Sequence, residues 1–84
     1  MEKLTDLPNI GPKLAENLEK IGVTTPDQLR ELGPEEAFVR IRARVDDAAC
    51  LHQLEALAGA EAGLKKSLLP PERKAELKAW FKGL

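Results

Sequence analysis

The residues best equipped for chemistry stand near the start of the chain, in Leu7-Pro8-Asn9-Ile10-Gly11-Pro12-Lys13-Leu14-Ala15. A glycine followed by a proline reads as a turn that launches a helix, since glycine turns freely and proline is pre-set for the first helical position. The first amides of a new helix have no internal partner and point forward, which is the local chemistry of an anion site. Lys13 reinforces this reading. A cation in the first turn opposes the positive end of the helix dipole by roughly 0.3–1 kcal/mol, where an acid would help the fold. Backbone amides within residues 9–13, other than that of Pro12, together with the Lys13 ammonium, would hold a phosphate. The candidate contact residues are therefore Asn9, Ile10, Gly11 and Lys13. The bland alternative is a compact helix-to-helix connection that only packs.

A related phrase, Leu29-Arg30-Glu31-Leu32-Gly33-Pro34-Glu35-Glu36-Ala37, follows 22 residues later, so the chain carries tandem Gly-Pro turns. Its charge is reversed. Glu35 and Glu36 suit the helix dipole and would repel a phosphate, so this second turn reads as structural. The pattern resembles the helix-hairpin-helix motif of DNA-binding proteins that contact the sugar-phosphate backbone without sequence preference. Asn9 stands where that motif has its first glycine, and asparagine is among the residues that tolerate a left-handed backbone.

A longer resemblance runs through almost the whole chain. Leu4-Thr5-Asp6-Leu7-Pro8-Asn9-Ile10-Gly11-Pro12-Lys13, Ile21-Gly22-Val23-Thr24-Thr25, Leu29-Arg30-Glu31-Leu32-Gly33, Ala37-Phe38-Val39-Arg40, Cys50-Leu51 and Leu54-Glu55-Ala56-Leu57-Ala58-Gly59-Ala60 resemble the C-terminal domain of the TfoX/Sxy family. That resemblance implies a regulator that assists transcription of DNA-uptake genes in natural competence. Glu55 and Lys66 replace expected aromatic residues, Glu61 replaces an apolar one, and the family's N-terminal domain is not present in this sequence.

Other constellations are weaker. Arg40, Arg42 and Arg44 form a basic run, but alternate helical residues lie about 200° apart, so only Arg40 and Arg44 share a face. They serve either as a partner surface or in helix pairing, Glu36 with Arg40 and Arg44 with Asp47. Lys74, Lys78 and Lys82 make an i, i+4 stripe, either a solvated face or a second partner surface. Cys50 and His52 are the only cysteine and histidine. Two residues apart on a helix they point to nearly opposite sides, so neither a catalytic thiol nor a zinc site is expected. Asp46-Asp47 reads as a helix cap before it reads as a weak cation site. No enzymatic activity, cofactor, metal or small-molecule substrate is expected.

The elements that must position these residues all read as helical, with no alternating or β-branched run suggesting a strand. A short turn at Leu4 to Leu7 leads into a helix from Pro12 to Ile21 that ends at Gly22. Thr25-Pro26-Asp27-Gln28 caps a second helix reaching about Leu32, and Pro34 opens a third that buries Ala37, Phe38, Ile41 and Val45. Asp46 or Asp47 should cap a fourth, with Leu51, Leu54, Leu57 and Ala58 inward and its end frayed or bent by Gly59 and Gly63. Pro70-Pro71 launches a fifth, with Leu77, Trp80, Phe81 and Leu84 inward. Phe38, Leu54 and Phe81 should meet across three helices, and Cys50 should be a small buried residue.

With 84 residues, 43% hydrophobic and 32% charged, the chain reads as one soluble all-α domain over residues 1–84, a compact five-helix domain with tandem helix-hairpin-helix-like Gly-Pro turns. A net charge of −1 argues against strong autonomous DNA binding. Residues 1–32 carry four basic and six acidic side chains, and residues 51–84 six basic and four acidic. No signal peptide or spanning apolar run is evident, so the cytoplasm is the expected location and a membrane is not an expected partner. Two functions emerge from different classes. One is a regulatory module that weakly contacts the DNA backbone or a DNA-bound protein. The other is a protein-interaction module that binds a transcription factor or polymerase subunit without touching nucleic acid.

Overall fold

The computed structural model describes residues 3–84, and among these there are helices, turns and no strand. Five helices follow in order: α1 (Pro12–Lys20), α2 (Pro26–Leu32), α3 (Pro34–Arg44), α4 (Leu51–Ala62) and α5 (Pro71–Lys82), with short 3-10 turns at Leu4–Asp6 and Lys66–Leu68. Proline occupies the first position of every helix except α4. The missing N–H is harmless there, because a first-turn amide has no partner in any case.

Glycines at positive φ end α1 and α4. At the end of α1, Gly22 adopts φ 89°, its N–H donates to Glu19 O at 3.0 Å, and Val23 N–H donates to Leu18 O at 2.9 Å. This is a Schellman closure, completed by burial of both Leu18 and Val23. Gly63, at φ 75°, ends α4 the same way, with Leu64 N–H donating to Gly59 O at 2.8 Å. The α2 start also follows the sequence: Thr25 Oγ1 accepts from Gln28 N–H at 3.2 Å. Gln28 Oε1 reaches back one residue further than a capping box requires, accepting from Thr24 N–H at 2.7 Å.

Helix α4 is the hub: α2, α3, α5 and the 3-10 turn at Lys66–Leu68 all pack on it, while α1 packs on α3. Phe38 and Ile41 of α3, Leu54 and Leu57 of α4, Leu18, Leu29 and Leu77 are fully buried and form one core. The Cα radius of gyration of 11.6 Å matches the roughly 12 Å expected for a compact chain of this length.

Several side chains lie elsewhere than the sequence pattern placed them. Phe38 and Leu54 are buried as expected, but Phe81 is only half-buried. It meets Phe38 edge-on, with ring centroids 5.8 Å apart, and Trp80 does the same at 6.1 Å. Because α5 is the outer helix, its aromatic rings seal the edge of the core without entering it. Leu84 follows the end of α5 and is 53% exposed. Val45 is half-buried, past the last turn of α3.

The α3–α4 connection is also longer than expected. Neither Asp46 nor Asp47 caps α4; Asp46 Oδ1 accepts from Ala48 N–H at 3.0 Å, closing a turn of its own, and Cys50 occupies the cap position. Ala49 takes the buried place and Cys50 is exposed. Gly59 does not fray α4, which continues through it to Ala62.

Candidate nucleic-acid interface

The two Gly-Pro turns differ in backbone despite their similar sequences. At the second, Gly33 itself is left-handed, at φ 87°, and serves at once as the end of α2 and the cap of α3. At the first, Gly11 is extended, at φ −88° and ψ 179°, and the left-handed residue is Asn9, at φ 68°. The turn thus reverses two residues before the glycine that the sequence suggested. Asparagine is among the few side chains that accept this conformation.

The Asn9 side chain is turned away from the outer face of the hairpin. Its Nδ2 donates to Leu64 O at 2.9 Å and more weakly to Ala56 O at 3.4 Å, while its Oδ1 accepts from Lys66 N–H at 2.8 Å. The carboxamide therefore ties the hairpin to the end of α4 and the turn beyond it. Gly59 makes room for this tie, since a Cβ there would lie 2.6 Å from Asn9 Nδ2 and 2.7 Å from Leu64 O.

With Asn9 facing inward, the outer face of the hairpin is Gly11, Pro12 and Lys13, all exposed. Ile10 is 5% exposed and belongs to the core. Its N–H is directed back to Leu7 O at 3.4 Å, so it is not among the amides free to face outward. Among the described residues, no backbone acceptor takes the amides of Asn9, Gly11 or Lys13, and Lys13 forms no ion pair. The first turn of α1 contains no acid.

Gly11 is a glycine that the fold does not demand. Its φ and ψ are open to any residue, and a Cβ there would meet nothing within 4 Å. A serine or aspartate at this cap position would serve α1 better.

The second turn is engaged in folding. Glu35 receives Arg73 of α5 in a two-pronged ion pair at 3.2 and 3.4 Å, and Glu36 pairs with Arg40 at 3.1 Å. Glu61, also near Arg73, has its carboxyl pushed above the ordinary range, chiefly because burial disfavours its charge; the attraction of Arg73 works against this, Glu35 adds to it and Arg30 works against it.

The other basic candidates lie on α3 and α5. Arg40 is committed to Glu36, and Arg44 ends α3, exposed, with no ion pair to Asp47. That pair was expected on one continuous helix, and α3 stops too early for it. Lys74 is half-buried and Lys78 and Lys82 are exposed along α5; α5 packs on α4 while α1 packs on α3. Arg42 lies 6.0 Å from the Phe81 ring centroid, a cation–π contact that periodicity alone did not reveal. His52 is exposed beside Glu55, with Nδ1 3.7 Å from Oε1. Among the described residues no three His, Cys, Asp or Glu side chains gather as metal ligands would, and no helix is long and apolar enough to cross a membrane.

Sequence reasoning missed one group. Lys65, Lys66 and Ser67 line a shallow groove whose other wall is residues 6–9. Their distance from the hairpin in sequence hides them; the signals in the sequence are a polar residue at position 9 in place of the expected glycine and Lys66 in place of an expected aromatic.

An all-helical fold whose exposed corner is a loop-to-helix turn defines the class. Within it, the chain belongs to the TfoX C-terminal domain family, whose model matches residues 1–81. A crystal structure of an uncharacterized protein from Listeria monocytogenes, in a triclinic form, superposes with a TM-score of 0.91 at 40% identity, covering 94% of this chain and 89% of that one. A protein of unknown function from Listeria monocytogenes, in a tetragonal form, gives a TM-score of 0.91 at 40% identity, covering 95% of this chain and 96% of that one. No curated protein matches the chain.

Proposed function

We propose that this chain is a non-enzymatic regulatory module whose first hairpin docks weakly on the DNA backbone, alone or beside a protein already on DNA, in competence-related transcription within the cytoplasm. The observation that carries the reading is Gly11. Neither its backbone angles nor its surroundings require a glycine, so what the missing Cβ gains is close approach from outside. The exposed Lys13 and the acid-free first turn of α1 support an anion there. At the second turn the acids and the Arg73 pair leave no such opening. A hairpin whose one cation, Lys13, neutralises a single phosphate gives affinity no better than roughly 10⁻⁴–10⁻⁶ M and a salt slope of about −1.

Amide shifts in a titration with duplex DNA at low salt test this. They should cluster on Asn9 to Leu14, disappear in Lys13→Glu and persist in Glu35→Ala. Gly11→Ser should bind more weakly while folding at least as stably as the parent. Shifts on Lys74, Lys78 and Lys82, or parental binding by Gly11→Ser, would refute the hairpin as the docking face. A net charge of −1 favours the second reading, a protein-interaction module that binds a transcription factor or polymerase subunit. That reading predicts no DNA-induced shift at any salt.

A further inference from the structure

The tie made by Asn9 has two ends. At one it orients the hairpin; at the other, through Leu64 O at 2.9 Å and Lys66 N–H at 2.8 Å, it holds the segment after α4 beside that hairpin. The groove between them has Pro8 and Asn9 on one wall and Lys65, Lys66 and Ser67 on the other. Lys65 and Ser67 are exposed and Lys66 is half-buried. Neither lysine forms an ion pair among the described residues. The groove's acid, Asp6, accepts from the Lys3 amide at 2.8 Å through Oδ2.

We propose that Lys65, Lys66 and Ser67 are a second DNA-phosphate contact, held in register with the first hairpin by the Asn9 side chain. This rests on the hairpin reading above and extends it from one point of contact to two. Ammonium and hydroxyl donors are the groups that commonly fix a protein on a phosphate backbone. Here two lysines add positive charge beside residues 6–9, the segment that leads into the Gly11-Pro12-Lys13 turn, within a chain whose net charge is −1. Asn9 acts as a positioning residue: it touches no phosphate with its carboxamide and sets where the lysines stand.

The test is the salt dependence of duplex DNA binding by the full chain, with amide shifts as a second readout. Removing one phosphate-neutralising side chain lowers the slope by about 0.9. The double variant Lys65→Gln/Lys66→Gln should lower the slope by about 1–2, and Lys13→Gln by about 1. Asn9→Gly keeps a residue suited to the left-handed backbone while removing the tie. It should abolish DNA-induced shifts at residues 65–67, preserve those at residues 11–14 and lower the slope as the double variant does. A merely structural Asn9 would lower thermal stability and leave the slope unchanged, which overturns the proposal. If the Lys65/Lys66 variant keeps the parental slope while Lys13→Gln lowers it, the second contact fails and the hairpin reading stands. If none of the variants changes binding, both fail. Equal binding of polyglutamate at the groove would assign it to an acidic protein surface and overturn the DNA assignment.

Discussion

Gly59→Ala should destabilise the protein, against the rule for glycine inside a helix. Replacing such a glycine by alanine ordinarily gains about 0.8–1.0 kcal/mol. At Gly59 the new Cβ would lie 2.6 Å from Asn9 Nδ2 and 2.7 Å from Leu64 O, closer than real Cβ atoms approach other groups. The Leu64 carbonyl has little freedom to withdraw, because the Leu64 amide is bonded back to Gly59 O at 2.8 Å. Overpacking of this kind costs about 1–3 kcal/mol. Displacing Asn9 also breaks its bonds to Leu64 O at 2.9 Å and from Lys66 N–H at 2.8 Å, each worth about 0.5–1.5 kcal/mol. After subtracting the helix gain, the net loss is about 1–5 kcal/mol. Urea denaturation followed by far-ultraviolet circular dichroism measures it. The same substitution in an Asn9→Gly background should lose less, because one of the two obstructing atoms is gone. A Gly59→Ala protein as stable as its parent, or effects of the two substitutions that add within about 0.5 kcal/mol, would refute the packing argument.

Phe38 is fully buried and receives the edges of both Trp80 and Phe81, so Phe38→Ala should cost about 3–5 kcal/mol in the same assay; a loss under about 1 kcal/mol would contradict its place at the core. Glu61 has a folded-state carboxyl raised above its ordinary value by burial, so the folded state holds its proton more tightly than the unfolded state. Its contribution therefore turns against folding as pH rises through that window. Glu61→Gln should be more stable than the parent at pH 7, with the difference vanishing in acid below the ordinary carboxylate range; denaturation midpoints across pH read this directly, and a gap that widens in acid would show the sign to be wrong.

Much of this architecture is legible locally. Pro12, Pro26, Pro34 and Pro71 mark four helix starts, and Gly22 and Gly63 mark two ends. Proline's missing amide and glycine's freedom at positive φ act within one turn of chain and need no partner elsewhere. The contrast between Lys13 and Glu35 is equally local, since the sign of a first-turn charge depends only on residue type. Helical periodicity also placed Phe38, Leu54 and Leu77 inward.

What the sequence left open are the places where distant segments meet. A period of 3.6 residues names an apolar face but not how deeply a neighbouring helix covers it, so Phe81 and Leu84 looked like core and lie at or beyond its edge. Cys50 and Ala49 differ by one residue, and the turn closed by Asp46 decided which of them is buried. Asn9 shows the limit most clearly, because its left-handed tolerance is intrinsic while the direction of its carboxamide is not. Its bonding partners, Ala56, Leu64 and Lys66, lie 47, 55 and 57 residues away, and Gly59 is the gap that lets it reach them. Hydrogen bonds of that span leave no periodic trace, since they exist only after α4 has packed and its final turn has closed.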